Sequence, residues 1–137
     1  MTDFRLDPRL AADTVPVVDL PLSTLLMMCD GNYPWLILVP RRAGAVEILD
    51  LDPADRARMW AEVEAVAAAL AAETRADKLN VAALGNVVSQ LHVHVVARYH
   101  GDAAWPTPVW GRVPAIPLDP TRATALADAL RTRLADL

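Results

Sequence analysis

Hydrophobic and polar positions change their period several times along this chain, and each change marks an element. Thr14 to Leu20 is rich in β-branched residues and reads as a strand ended by Pro21. Ser23 to Cys29 reads as a second strand, so the two form a hairpin across Leu20-Pro21-Leu22. Asp30-Gly31-Asn32-Tyr33-Pro34 is a polar turn. Trp35 to Val39 is a nearly continuous apolar strand, stopped by Pro40-Arg41-Arg42. The period then lengthens to three or four. Met59, Val63, Val66 and Leu70 form an apolar stripe with Trp60 beside it, while Arg56, Glu62 and Glu73 fall on the wet side. Asp52-Pro53-Ala54-Asp55 starts that helix, with Asp52 as N-cap and Pro53 at the first helical position, and it runs to about Ala72.

Lys78 to Leu84 is strand-like, Gly85-Asn86 breaks it, and about Val88 to Tyr99 forms an antiparallel neighbour. His100 to Pro117 is irregular, rich in proline, and carries Trp105 and Trp110. Asp119-Pro120 caps a last helix in which Leu126, Leu130 and Leu134 recur every four residues. Before all of these, residues 1–14 form a short arm with a helical turn opened by Asp7-Pro8. Five strands, one long helix between the third and fourth, and a terminal helix imply an α+β fold with an antiparallel sheet. No repeat and no linker divides residues 1–137, so a single domain is expected.

The chemistry concentrates in Gln90-Leu91-His92-Val93-His94-Val95-Val96, which holds two of the three histidines. In a strand, successive side chains face opposite ways, so Gln90, His92 and His94 share one face and Leu91, Val93 and Val95 the other. Three uses are open for such a pair: two ligands of a metal ion, two partly buried imidazoles satisfied by hydrogen bonds, or nucleophilic and acid–base catalysis. A catalytic zinc ion normally takes three protein ligands, and no Asp or Glu accompanies the pair on its face; His100 falls beyond the strand end.

Composition narrows the partners. The net charge is −4 with no basic block, which argues against binding a nucleic-acid backbone. Although 54% of residues are hydrophobic, no run approaches the roughly 18 apolar residues of a membrane span. The amino terminus has no charged-then-apolar leader pattern, so a cytoplasmic location is expected. The single cysteine, Cys29, excludes an internal disulfide and reads as a buried structural thiol. No glycine-rich phosphate loop of the GxGxxG or GxxxxGK[ST] kind is present.

Residues 90–96 resemble the signature of the histidine-triad (HIT) family, His-x-His-x-His followed by two apolar residues, with x apolar. Trp35-Leu36-Ile37-Leu38-Val39-Pro40-Arg41 is similar to the family's strand that ends in Pro and a basic residue. The resemblance covers about residues 14–100, leaving 101–137 as a carboxy-terminal extension. Within it, Trp105-Pro106-Thr107-Pro108-Val109-Trp110-Gly111 resembles a bacterial HIT-like subgroup carrying the same Gln-x-His-x-His version. The resemblance implies a HIT-like five-stranded antiparallel sheet with one long helix packed on it. It also implies a nucleotide hydrolase or nucleotidyl transferase acting at an α-phosphate, on an ester, anhydride or phosphoramidate.

On that reading His92 is the nucleophile that forms a nucleotidyl-histidine, and its other ring nitrogen needs a fixed acceptor such as a backbone carbonyl. His94 contacts phosphoryl oxygens or passes a proton to the leaving group. Gln90, which replaces the first histidine, lies beside the phosphate; an amide donates and accepts but cannot carry a proton. Ala43 stands where many members have a further histidine. The resemblance further implies Asn86 at the phosphate and Asp30 with Asn32 at the ribose hydroxyls, although turn formation alone also accounts for these three. Ser89 points away by strand parity. No cofactor or protein-bound metal is required, a divalent cation can accompany a polyphosphate substrate, and a homodimer is implied. Two other readings stay open: a nucleotide-binding module with little or no turnover, and a metal-binding protein using His92, His94 and a further ligand.

Overall fold

The computed structural model describes residues 3–137; Met1 and Thr2, which open the expected arm, lie outside the described residues. Its strands are β1 (Thr14–Asp19), β2 (Ser23–Met28), β3 (Trp35–Pro40), β4 (Lys78–Ala82) and β5 (Val93–Arg98). They form one antiparallel sheet in the order β1-β2-β3-β5-β4. Pro16 sits within β1 because β1 is an edge and the register shifts between Pro16 and Val18; an internal strand would lose a ladder hydrogen bond there.

Three α-helices accompany the sheet: α1 (Pro8–Asp13), α2 (Pro53–Thr74) and α3 (Pro120–Arg133). Each starts with the Asp-Pro signature, and the Asp side chain accepts from backbone amides of the first turn in all three: Asp7 from Arg9, Asp52 from Asp55, Asp119 from Thr121 and Arg122. Helix α2 runs two residues beyond the expected Ala72. It ends on Arg75 in the left-handed region (φ +53°), a position where glycine is the usual signal, so composition conceals the stop.

Alternation along β3 and β5 divides the interior into two. Leu36, Leu38, Leu91, Val93, Val95 and Ala97 join Met59, Val63, Val66, Leu70 and Leu130 under α2 and α3. Trp35, Ile37, Val39 and Val96 face the other way, into a thinner layer closed by Leu10, Ala104 and Val109 with Phe4, Leu6 and Trp110 packed beside them. Fully burying a large aliphatic side chain contributes about 1.5–3 kcal/mol, so Leu10 and Val109 help to hold the amino-terminal segment and the extension against this face. Leu130 and Leu134 are buried on the helical side, as their spacing suggests.

Three expectations need correcting. Glu62 is on the wet side of no surface. It is 1% exposed, and its carboxylate accepts from the amides of Leu22 and Ser23 at 2.8 and 2.9 Å, closing the β1–β2 turn. Cys29 is exposed, because it lies past the end of β2 rather than within its buried alternation. The motif strand begins at Val93, not near Val88: its partner β4 stops at Ala82, opposite His94, and β3 reaches it only as far as Leu38 opposite Val93. Gln90 and His92 therefore precede the ladder. Leu91 is anchored instead by its amide donating to Ala45 O at 2.9 Å.

Candidate functional site

His92 and His94 lie on the thin-layered face, their rings 4.8 Å apart between centroids and steeply inclined. Both residues are buried, at 6% and 5% exposure. His92 Nδ1 sits 2.6 Å from Gln90 O. A carbonyl only accepts, so this contact puts a proton on Nδ1 and leaves Nε2 with a lone pair. Among the described residues Nε2 has no hydrogen-bond partner, and it is not one of the inaccessible unpaired side-chain atoms, which are Tyr33 Oη, Arg41 Nη1 and Trp110 Nε1. It therefore reaches solvent. A buried ring fixed by one nitrogen and offering the other outward has the form of a nucleophile.

His94 is fixed the opposite way. Trp35 Nε1 donates to His94 Nδ1 at 3.0 Å, so His94 carries its proton on Nε2. Its ring lies among aromatic neighbours, 5.7 Å from Trp35 and 5.1 Å from Trp110. Burial, and secondarily the nearby His92, lowers its pKa to about 3, so it is neutral near pH 7. A proton-passing role would need the charged form. This His94 is a hydrogen-bond donor.

Gln90 does not present its amide to the same space. Its Oε1 accepts from Asp7 N and its Nε2 donates to Arg5 O, both at 2.8 Å, so the side chain clasps the amino-terminal arm. It acts on the site through its backbone carbonyl. Asn86 is exposed and follows Gly85, which holds φ +76°. Its side chain makes no hydrogen bond among the described residues. Ser89 is exposed. His100 is exposed too, edge-to-face with Trp105 and 3.8 Å from Asp77.

Asp30 and Asn32 are engaged within the chain. Asp30 Oδ1 accepts from Asn32 N and Nδ2 at 2.9 Å, and Asn32 Nδ2 also donates to Pro114 O at 3.0 Å. Gly31 completes this junction: a Cβ there would lie 2.3 Å from Pro117 O, so the extension passes closer than any side chain permits. Both residues line a cavity of about 740 Å³ with Tyr33, Thr74, Tyr99 and Arg122, and neither His92 nor His94 lines it. The structure thus brings the two histidines together, and the cavity lined by Asp30 and Asn32 is also lined by Trp35, the hydrogen-bond partner of His94.

Sequence reasoning passed over Trp35 and Arg98. Trp35 is a diagonal neighbour of His94, since Trp35 pairs with Val96 in the β3–β5 register. Arg98, 1% exposed, bonds Asp102 through Nε and Nη2, Asn80 through Nη1 and the Thr107 carbonyl through Nη2, pinning the extension to the sheet. The alternation His92, His94, Val96, Arg98 was a signal for its direction, not for its partners. Among the described residues, no group of three or more His, Cys, Asp or Glu side chains is placed to hold a metal ion. No helix among them is long and apolar enough to cross a membrane.

Comparison with known proteins bears on the fold and the family. No curated protein matches the chain. Among solved structures, it is similar to a histidine triad protein from Bradyrhizobium japonicum, 50% identical, with a TM-score of 0.96 over 97% of this chain and 99% of that one. A histidine triad (HIT) protein from Sinorhizobium meliloti is 45% identical, with a TM-score of 0.93 and coverage of 96% and 97%. A histidine triad protein from Marinobacter aquaeolei is 41% identical, with a TM-score of 0.94 and coverage of 99% of both chains. The model of the HIT domain matches residues 9–101, which take in the whole sheet and both histidines. The chain belongs to the HIT domain family.

Proposed function

We propose that this protein is a nucleotide hydrolase or nucleotidyl transferase that works through a covalent nucleotidyl-histidine on His92. The observation that carries the reading is the 2.6 Å contact of His92 Nδ1 with Gln90 O, beside an Nε2 that has no partner among the described residues. In the first step the Nε2 lone pair attacks the α-phosphorus, and the bond from phosphorus to the leaving group breaks with its electron pair on the leaving atom. The charge that develops on the ring is stabilised through Nδ1–H and the Gln90 carbonyl. In the second step water attacks the same phosphorus, the P–N bond breaks, its pair returns to Nε2 and the water proton passes to solvent. His94 Nε2–H donates to a phosphoryl oxygen throughout. Gln90 contributes its carbonyl and the hold on the arm, and no role at the phosphate is needed from its amide.

Nucleotide as substrate follows from the family resemblance of the motif, with Asp30, Asn32 and Asn86 as its proposed further contacts. A homodimer and a cytoplasmic location belong to the same reading. A second reading, nucleotide binding with little turnover, is favoured by one observation: Gln90 places no third polar side chain at the phosphate. The deciding experiment is trapping with α-³²P-labelled nucleotide. Acid-labile label bound stoichiometrically to wild type and absent from His92→Ala supports the enzyme. Tight binding with neither adduct nor turnover supports the module instead.

A further inference from the structure

Trp35 meets His94 through one hydrogen bond, and that bond fixes the tautomer of the ring. An indole N–H only donates, so with Trp35 Nε1 at 3.0 Å the lone pair of His94 Nδ1 is committed and the ring's proton resides on Nε2. Protonating Nδ1 would break this bond and set two N–H groups against each other. The surroundings reinforce the arrangement. Trp35 and Trp110 flank the ring, Ile37 stands opposite it on β3 and Ala82 on β4, and among the described residues His92 is the one ionisable group that shifts it. Nor can neutral His94 give up its Nε2 proton, since that would leave an imidazolate. His92, the other imidazole, is bonded to phosphorus when the leaving group departs.

We propose that Trp35 is a positioning residue that holds His94 as a permanent Nε2–H donor, and that the site therefore takes nucleotide anhydrides whose leaving group departs as a stable anion, a phosphate or a carboxylate, rather than nucleotides with an amine leaving group. This rests on the nucleotidyl-histidine reading above. The first step then balances without a protein acid: the His92 Nε2–P bond forms, the P–O bond breaks, and the electron pair leaves on a weakly basic oxygen. An amine must gain a proton as the P–N bond breaks. General acid catalysis is worth about 10²–10⁴-fold, which sets the size of the discrimination.

The test has two arms. Imidazole ¹⁵N spectra of the wild-type protein report the tautomer directly. His94 is expected as the Nε2–H form with no titration between pH 5 and 8, and Trp35→Phe, which keeps a ring and removes the donor, is expected to mix the tautomers. A wild-type His94 protonated on Nδ1, or titrating near its ordinary value, overturns the lock. The second arm compares kcat/KM for an acyl nucleotidylate and a dinucleoside polyphosphate with that for a nucleoside phosphoramidate. Wild type is expected to favour the anhydrides by at least about 100-fold, and Trp35→Phe to narrow that ratio about tenfold, most below pH 6. Equal rates on the two classes overturn the substrate assignment. Absence of turnover and of adduct with every substrate overturns the hydrolase reading and the assignment with it, while the spectra still decide the role of Trp35. Neither wild-type measurement depends on the variant folding.

Discussion

Glu62 sits where a helical wheel turns polar, yet its two carboxylate oxygens satisfy the amides of Leu22 and Ser23 inside the protein. Removing it strands two buried donors, each costing about 1–3 kcal/mol. Glu62→Ala is therefore expected to destabilise the fold by about 2–6 kcal/mol in urea unfolding, and Glu62→Gln by less, since one oxygen acceptor remains. A Glu62→Ala midpoint equal to wild type would show that water replaces the carboxylate. His92 and His94 illustrate the same dependence on a single partner. Their chemistry differs because one ring nitrogen meets a carbonyl and the other an indole N–H. The motif named both side chains, but not these partners, which lie two residues away in one case and 59 in the other.

At the level of elements, the amino-terminal arm and the first part of the extension, Ala104 to Val113, cover the face that carries the histidines. Gln90 holds the amino-terminal arm by one donated and one accepted hydrogen bond to backbone, a pairing that suits a primary amide. Gln90→Ala is expected to release residues 3–8, with faster hydrogen exchange there, at a stability cost of about 0.5–1.5 kcal/mol per lost bond. Unchanged exchange would mean that Leu6 and Leu10 hold the arm alone. Helix starts were legible because Asp-Pro satisfies orphan amides locally, whatever the rest of the chain does. The start of β5 was not. A ladder ends where its neighbours end, and β4 stops opposite His94.

For the whole molecule, the joint between sheet and extension is ionic. Arg98 and Asp102 are both nearly inaccessible, and the guanidinium holds the Asp102 pKa down to about 2, from an ordinary 3.8. Between those values the unfolded chain binds more protons than the folded one, so stability rises with pH there and is lost as pH falls towards 2. His94 acts in the same direction across a higher window. Its stabilisation is complete above its ordinary 6.5 and declines as the pH drops towards 3. Denaturant midpoints are thus expected to fall continuously from pH 7 to pH 3. Arg98→Met, which leaves Asp102 buried and uncompensated, is expected to cost about 3–5 kcal/mol at pH 7 and less at pH 3, where Asp102 can take up a proton. A cost that does not change with pH would place the loss in packing rather than charge.

Fold class, strand count, helix starts and the two histidines were readable along the chain, because periodicity and capping act over a few neighbouring residues. The partners that give those histidines their tautomers, the burial of Glu62 and Arg98, the engagement of Gln90 with the arm and the exposure of Cys29 were decided in three dimensions. They depend on which distant backbone groups reach a given side chain once two sheet faces are covered by different parts of the molecule, and no local pattern records that.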